Sequence, residues 1–192
     1  MNLETAFGVF RTSCHIVDGE MIVSFVCDDV KARTPIVRIH SGCIFGDAFH
    51  SQHCDCGQQK DAAMKEIKKH GRGVFVYSPF QEGRGHGLEV KIREMDIAKR
   101  NGWDSDQAFR SMDLDPDIRK YHREVEVLKE LDIPNVIIHF SGNPRKSAAL
   151  EAGGFEILEH REWTEPLGQG ALEERRWKRD QGYTYRPEVE GG

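Results

Sequence analysis

The chain has 192 residues, 38% of them hydrophobic and 31% charged, with a net charge of −5. That balance is enough for one good core and excludes a disordered chain. The negative charge argues against a general nucleic-acid binder, and no apolar run approaches the roughly 20 residues that span a bilayer.

The opening residues MNLETAFGVFRTSCHIVDGE show no basic stretch followed by an apolar one, so a cytoplasmic, reducing setting is expected. MIVSFVC (21–27) and TPIVRIH (34–40) read as strands rich in β-branched residues, with VKAR (30–33) in the link between them. From Gly57 the pattern turns helical, placing Ala62, Ala63, Met64 and Ile67 on one face until Gly71 and Gly73 end it. GVFVYS (73–78) reads as a buried strand, followed by the Gly-rich loop QEGRGHG (81–87). A second helix runs from Leu88 to Arg100 and closes at Asn101-Gly102. Asp115-Pro116 is expected to start a third, reaching Asp132 through Val125, Leu128 and Leu131. NVIIHF (135–140) is a strand, SGNPRKSAALEAGG a loop and helix, and FEILEH (155–160) a last strand. The expected class is α/β (mixed α+β), a mixed sheet flanked by helices. One domain covers residues 1–170, and 171–192, turn-rich and mixed in charge, reads as a solvated or poorly ordered tail.

The densest chemistry lies in CIFGDAFHSQHCDC (43–56), where three of five cysteines are spaced C-x10-C-x-C. In a reducing compartment, clustered cysteines point to metal or catalysis before disulfides. Three thiolates suit tetrahedral zinc, and a three-ligand site leaves a position at which water falls from a pKa of 15.7 to about 7. His40, His50 or His53 can instead close such a site as a fourth ligand, with His50 better spaced than His53; redox use of C-x-C is a third reading. Cys14 and Cys27 read as small buried residues. QEGRGHG offers backbone N–H groups and Arg84 to an anion at a helix start, and SGNPRK repeats that logic after a strand. In DPDIR (115–119), Asp117 and Arg119 stand two residues apart and do not face each other on a helix, although capping by Asp115 or Asp117 is a local alternative.

Taken in order, VRIHSGC, GDAFHSQHCDCGQQ, QEGRGHGL, DPDIR and SGNPRK resemble the GTP cyclohydrolase II family from about Thr34 to Glu156. The resemblance implies that Cys43, Cys54 and Cys56 bind one Zn2+ with water as the fourth ligand. It places Arg38, His40, Ser41, Gln59, Glu82, Gly83, Arg84, Ser105, Ser141 and Lys146 among substrate contacts, Lys146 on phosphate. Asp117 is implied as proton acceptor and Arg119 as nucleophile toward the α-phosphate, with Mg2+ assisting departure of pyrophosphate. Zinc-activated water then attacks C8 of the imidazole ring, and formate is released. Riboflavin biosynthesis and a homodimer are implied as well.

Several residues depart from that pattern. The family's H-S-E-C reads His40-Ser41-Gly42-Cys43, and R-N-I-G reads Arg84-Gly85-His86-Gly87. The tyrosine that follows K-I-R is replaced by Met95, which neither donates a hydrogen bond nor relays a proton. Two outcomes are expected: a product that keeps its formyl group, or, where another residue or water stands in for the phenol, one that has released formate. Extra residues near Ser78–Pro79–Phe80 and in 94–102 suggest a reshaped pocket. Two other readings stand beside this one: an enzyme opening another nucleotide ring, of a uracil nucleotide or modified purine, and a non-catalytic zinc protein that binds nucleotide.

Overall fold

In the computed structural model, residues 1–28, 34–162 and 169–184 are described. Seven strands form one mixed sheet: β1 (Asn2–Thr5), β2 (Gly8–Val17), β3 (Glu20–Cys27), β4 (Ile36–Ser41), β5 (Gly73–Ser78), β6 (Val136–Phe140) and β7 (Glu156–Arg161). Their spatial order is β1-β2-β3-β5-β4-β6-β7. The first three form an antiparallel meander, and β3 joins β5 antiparallel. From β5 through β4 and β6 to β7 every pairing is parallel, with a register shift at Ile137/Ile138. The expected mixed sheet flanked by helices is therefore present.

Sequence explains which strands lie in the middle. β4 and β5 are almost wholly buried, as central strands covered on both faces must be; β5 (GVFVYS) reads as a near-continuous apolar run, whereas β4 (IVRIHS) also buries Arg38 and His40. Helix α2 (Cys56–His70) lays Ala63, Met64 and Ile67 on one face of the sheet, against Phe10, Ile36 and Phe75. Its C-cap Gly71 sits at φ 84°, the left-handed conformation that glycine adopts without strain. On the other face, α5 (His122–Glu130) and α6 (Pro144–Ala152) contribute Val125, Leu128 and Leu150 to a cluster with Val37, Ile39, Val74 and Ile137. At the sheet's outer side, β2 turns His15 inward to Ser24 and Glu130, so its neighbour Cys14 is exposed rather than buried; Cys27 is buried as expected.

Helix α3 (Leu88–Asn101) follows the Gly-rich loop as anticipated, and a four-residue turn of helix, α1 (Ile44–Asp47), follows Cys43. The sequence reading passes over α4 (Ser105–Ser111), although Asp104 and Gln107 form a reciprocal capping box at its start.

The helix expected from Asp115-Pro116 begins only at His122. Residues 115–120 are irregular because other groups have taken their backbone acceptors. The carbonyl of Asp115 accepts from His86, that of Pro116 from Arg84, those of Asp117 and Arg119 from Arg145, and that of Lys120 from Gln81. A backbone satisfied this way has no need of a helical ladder.

Where residues 171–192 were expected to form a tail, helix α7 spans Gln169–Asp180 and carries a buried Arg175. Residues 185–192 and the VKAR link lie outside the described residues. No helix among those described is long and apolar enough to cross a membrane.

Candidate active site

The carboxyl ends of three adjacent parallel strands open into one cavity of about 1070 Å³. β4 delivers Ser41 and Cys43, β5 delivers Gln81 to Arg84, and β6 delivers Ser141 to Lys146, as expected for an α/β sheet.

At one end the three cysteines converge. The Sγ atoms of Cys43, Cys54 and Cys56 all lie within 4.8 Å of one another, with Cys43 and Cys54 at 3.7 Å. Three sulfurs bonded at about 2.3 Å to one tetrahedral ion lie about 3.8 Å apart, close to the Cys43–Cys54 spacing, so the donor set suits zinc. Among the described residues no histidine or carboxylate joins the cluster. His40 is held elsewhere by Asp47, and His50 and His53 are exposed, which removes the closed four-ligand reading for those residues.

Hydrogen bonds from Cys54 and Cys56, with the Lys91 ammonium at 3.0 Å, hold the Cys43 thiol well below its ordinary pKa. The shared hydrogen bond with that thiolate pushes Cys54 up to about 12 and raises Cys56 as well. Lys91 is also 2.6 Å from Glu82, whose other oxygen accepts from the backbone N–H of Ile44. Burial disfavours the Lys91 ammonium, but Cys43 and Glu82 outweigh it and keep it charged.

Beneath the cysteines, Asp47 accepts from the Cys43 backbone N–H at 2.9 Å and the Tyr77 hydroxyl at 3.1 Å, and meets His40 Nε2 at 3.0 Å. His40 is stacked between Phe75 and Tyr77, and burial lowers its pKa. Its geometry is that of a support for the Cys43 turn. Lys91, Asp47 and Tyr77 were missed by motif reading. Lys91 carried a signal, standing in the first turns of the helix after the Gly-rich loop.

Gly42 explains a departure seen in the sequence. A Cβ there would lie 2.9 Å from Pro79 Cα and 3.2 Å from the Tyr77 hydroxyl. Its N–H bonds the Ser78 carbonyl at 2.9 Å. Ser78 and Pro79 occupy the space a side chain at 42 would need.

The opposite end of the cavity is cationic. Arg38, buried beneath it, donates to the Phe140 carbonyl and to Gln59. Lys146 is buried, donates to the Ile39 carbonyl at 3.0 Å and lies over the Tyr121 ring. Burial first, then Arg38 and Arg119, push its pKa well down. Ser141 Oγ accepts from Asn143 N–H, and Asn143 in turn caps α6.

Asp117 and Arg119 meet side by side at 2.9 and 2.7 Å in a two-point pair, with Arg145 2.9 Å from the same carboxylate. Burial raises the Asp117 pKa, but Arg119 and Arg145 outweigh it and hold it below the usual range. Against its own burial, Arg119 is kept protonated by the Asp117 carboxylate.

Between the two ends runs the EGR segment. Gly83 and Arg84 both take left-handed φ values, 59° and 57°. For arginine that conformation is strained and needs anchoring, which Asp106 at 2.7 Å and the Phe109 ring provide. Ser105 and Met95 line the same cavity from α4 and α3, together with the buried Glu94. Every site residue anticipated from sequence thus borders one cavity; Lys178, Gln181 and Tyr183 of the C-terminal region border it too.

A three-thiol cluster able to hold a metal ion faces a cationic cradle across one cavity. The chain belongs to the GTP cyclohydrolase II family, whose sequence pattern matches residues 1–162, further in both directions than the motif blocks alone. It is similar to the riboflavin biosynthesis protein RibBA of Staphylococcus epidermidis, 42% identical over 171 residues, covering 88% of this chain and 42% of that protein. RibBA of Bacillus subtilis is 39% identical over 163 residues, 83% of this chain and 40% of that protein. For RibBA of Aquifex aeolicus the figures are 36% over 161 residues, 82% and 39%. The chain spans about two-fifths of the length of these curated relatives.

Proposed function

We propose that this protein hydrolytically opens the imidazole ring of GTP and releases pyrophosphate, giving a formylaminopyrimidine ribonucleotide for riboflavin-type biosynthesis. The observation that carries the reading is the pairing, in one cavity, of a three-thiol centre with a buried cationic cluster. Cys43, Cys54 and Cys56 would hold zinc, which when bound supplies Lewis-acid polarisation and makes water nucleophilic near neutral pH. Magnesium accompanies the triphosphate.

The chain's own residues divide the remaining work. Lys146, Arg38 and Ser141 receive phosphate oxygens, and the anion relieves the repulsion that depresses the Lys146 pKa. Gln59, His40, Ser41 and Ser105 complete the nucleotide pocket, while Glu82, Gly83 and Arg84 orient the ring near the cysteines. Arg119 contacts the α-phosphate. A guanidinium attacks phosphorus only after losing a proton, and Asp117 is already at hydrogen-bond distance to take it. Met95 stands on the cavity wall where the family resemblance places a phenol, so the formyl group lacks that proton donor and stays on the product. The functional unit is a homodimer in a cytoplasmic setting.

Incubation with GTP, zinc and magnesium, followed by mass spectrometry and parallel assays of formate and pyrophosphate, tests the reading. The expected result is pyrophosphate with a formylated product, and more formate from Met95→Tyr. Equal, rapid release of formate and pyrophosphate by the wild type would sink the product assignment. Turnover of another nucleotide but not GTP would replace the substrate.

A further inference from the structure

The family match ends at residue 162, yet the cavity does not. Asp55 sits between the thiol residues Cys54 and Cys56 and is completely buried. It occupies the N-cap position of α2, where an aspartate usually bonds the first backbone N–H groups, but its side chain makes no such bond. The carboxylate is turned instead toward α7: Arg175 Nε approaches one oxygen at 3.3 Å and Lys178 Nζ the other at 3.7 Å. Arg175 is itself only 4% exposed. Gln59, which accepts from Arg38, also hydrogen-bonds the Asp55 side chain.

Further along, the same C-terminal segment reaches the other end of the cavity. Thr184 N–H bonds the Gly142 carbonyl at 3.0 Å, and the Tyr183 hydroxyl accepts from Asn143 at 2.9 Å. A side chain at Gly142 would collide with the Thr184 carbonyl, so this approach depends on glycine. One stretch of chain therefore touches both the cysteine loop and the SGNPRK loop.

We infer that Arg175 and Lys178 are positioning residues for the metal centre: by pairing with Asp55 from α7, they hold Cys54 and Cys56 in the geometry that three-thiol zinc coordination requires. The inference rests on the zinc reading of those cysteines. Its physical basis is that a buried carboxylate left without partners is strongly destabilising, and Asp55 lies between the two cysteines, so a backbone shift that carries it toward water moves both of them. Outer partners of ligand-bearing groups commonly change metal affinity by about 10- to 100-fold.

The test is zinc release from the loaded, full-length protein into excess chelator, with bound zinc per chain measured first. R175Q/K178Q should lose zinc about 10- to 100-fold faster than the wild type. Adding D55N to that variant should bring release back to within about threefold of the wild type, because no buried carboxylate then lacks a partner. General loosening of the fold would not be repaired by that third change, and circular dichroism reports it separately. Should the double variant not fold, R175K is read in the same assay, with release several-fold faster expected. Wild-type release rates in the folded variants, or no recovery with D55N, overturn the inference. A wild-type chain that takes up no zinc overturns the metal reading, and the positioning role with it; the initial stoichiometry tells this failure apart from the others.

Discussion

The two ends of the cavity are built on opposite electrostatic plans. At the cysteine end, a single thiolate is surrounded by donors: two neighbouring thiols and Lys91, with Asp47 anchoring the backbone below. At the cationic end, Lys146 is buried beside Arg38 and Arg119, so burial first and like charge second work against its ammonium. The first end is organised before any ligand arrives. The second holds unfavourable charge that an anion neutralises. A site can thus be ready for its metal and poised for its substrate by different means, with Lys91–Glu82 and the strained Arg84 joining the two.

Losing a metal donor should break the comparison most completely. Cys54→Ala leaves two of three sulfur donors, and we expect loss of both zinc uptake and turnover, measured by metal content and GTP consumption. Asp117→Asn should come next. It keeps the shape beside Arg119 but cannot take a proton, and loss of a positioned base costs about 10²–10⁴-fold in rate. Pyrophosphate release in single turnover is the readout, with zinc content unchanged.

Lys146→Met sharpens the contrast. Removing one bond from a cation to phosphate is worth roughly 1.5–3 kcal/mol, so nucleotide binding should weaken by about 10- to 100-fold. Thermal stability without ligand should hold or rise, because the repulsion with Arg38 and Arg119 is gone. No removal of a thiol would have that paired outcome. The smallest effect is on the acid side. The folded pKa of Asp117 lies below its unfolded value of about 3.9, so its stabilising contribution is complete above that pH and disappears as pH falls through the folded value. Denaturant unfolding of Asp117→Asn should accordingly depend less on pH below about 4 than that of the wild type.

The central strands β4 and β5, helix α2 and the Gly stops were legible because each is a local pattern of apolar period and backbone freedom. The three cysteines were legible for a similar reason: two of them are separated by one residue, and thiolate chemistry in a reducing chain has few uses. DPDIR was misjudged as a helix start. Its local signals were sound, but Arg84, His86, Gln81 and Arg145 claim its carbonyls from elsewhere in the chain.

Sequence alone determined which three cysteines gather, the order of strands and helices through most of the chain, and the two loops that follow β5 and β6 into the cavity. Tertiary structure decided what each of those motifs faces. It excluded a histidine ligand among the described residues, packed Gly42 against Ser78 and Pro79, and placed Lys91 on the Cys43 sulfur. It also brought Arg175 and Lys178 onto Asp55 across more than a hundred residues. Pairings of that range leave no periodic trace in composition or spacing, because they depend on how the finished sheet and helices approach one another.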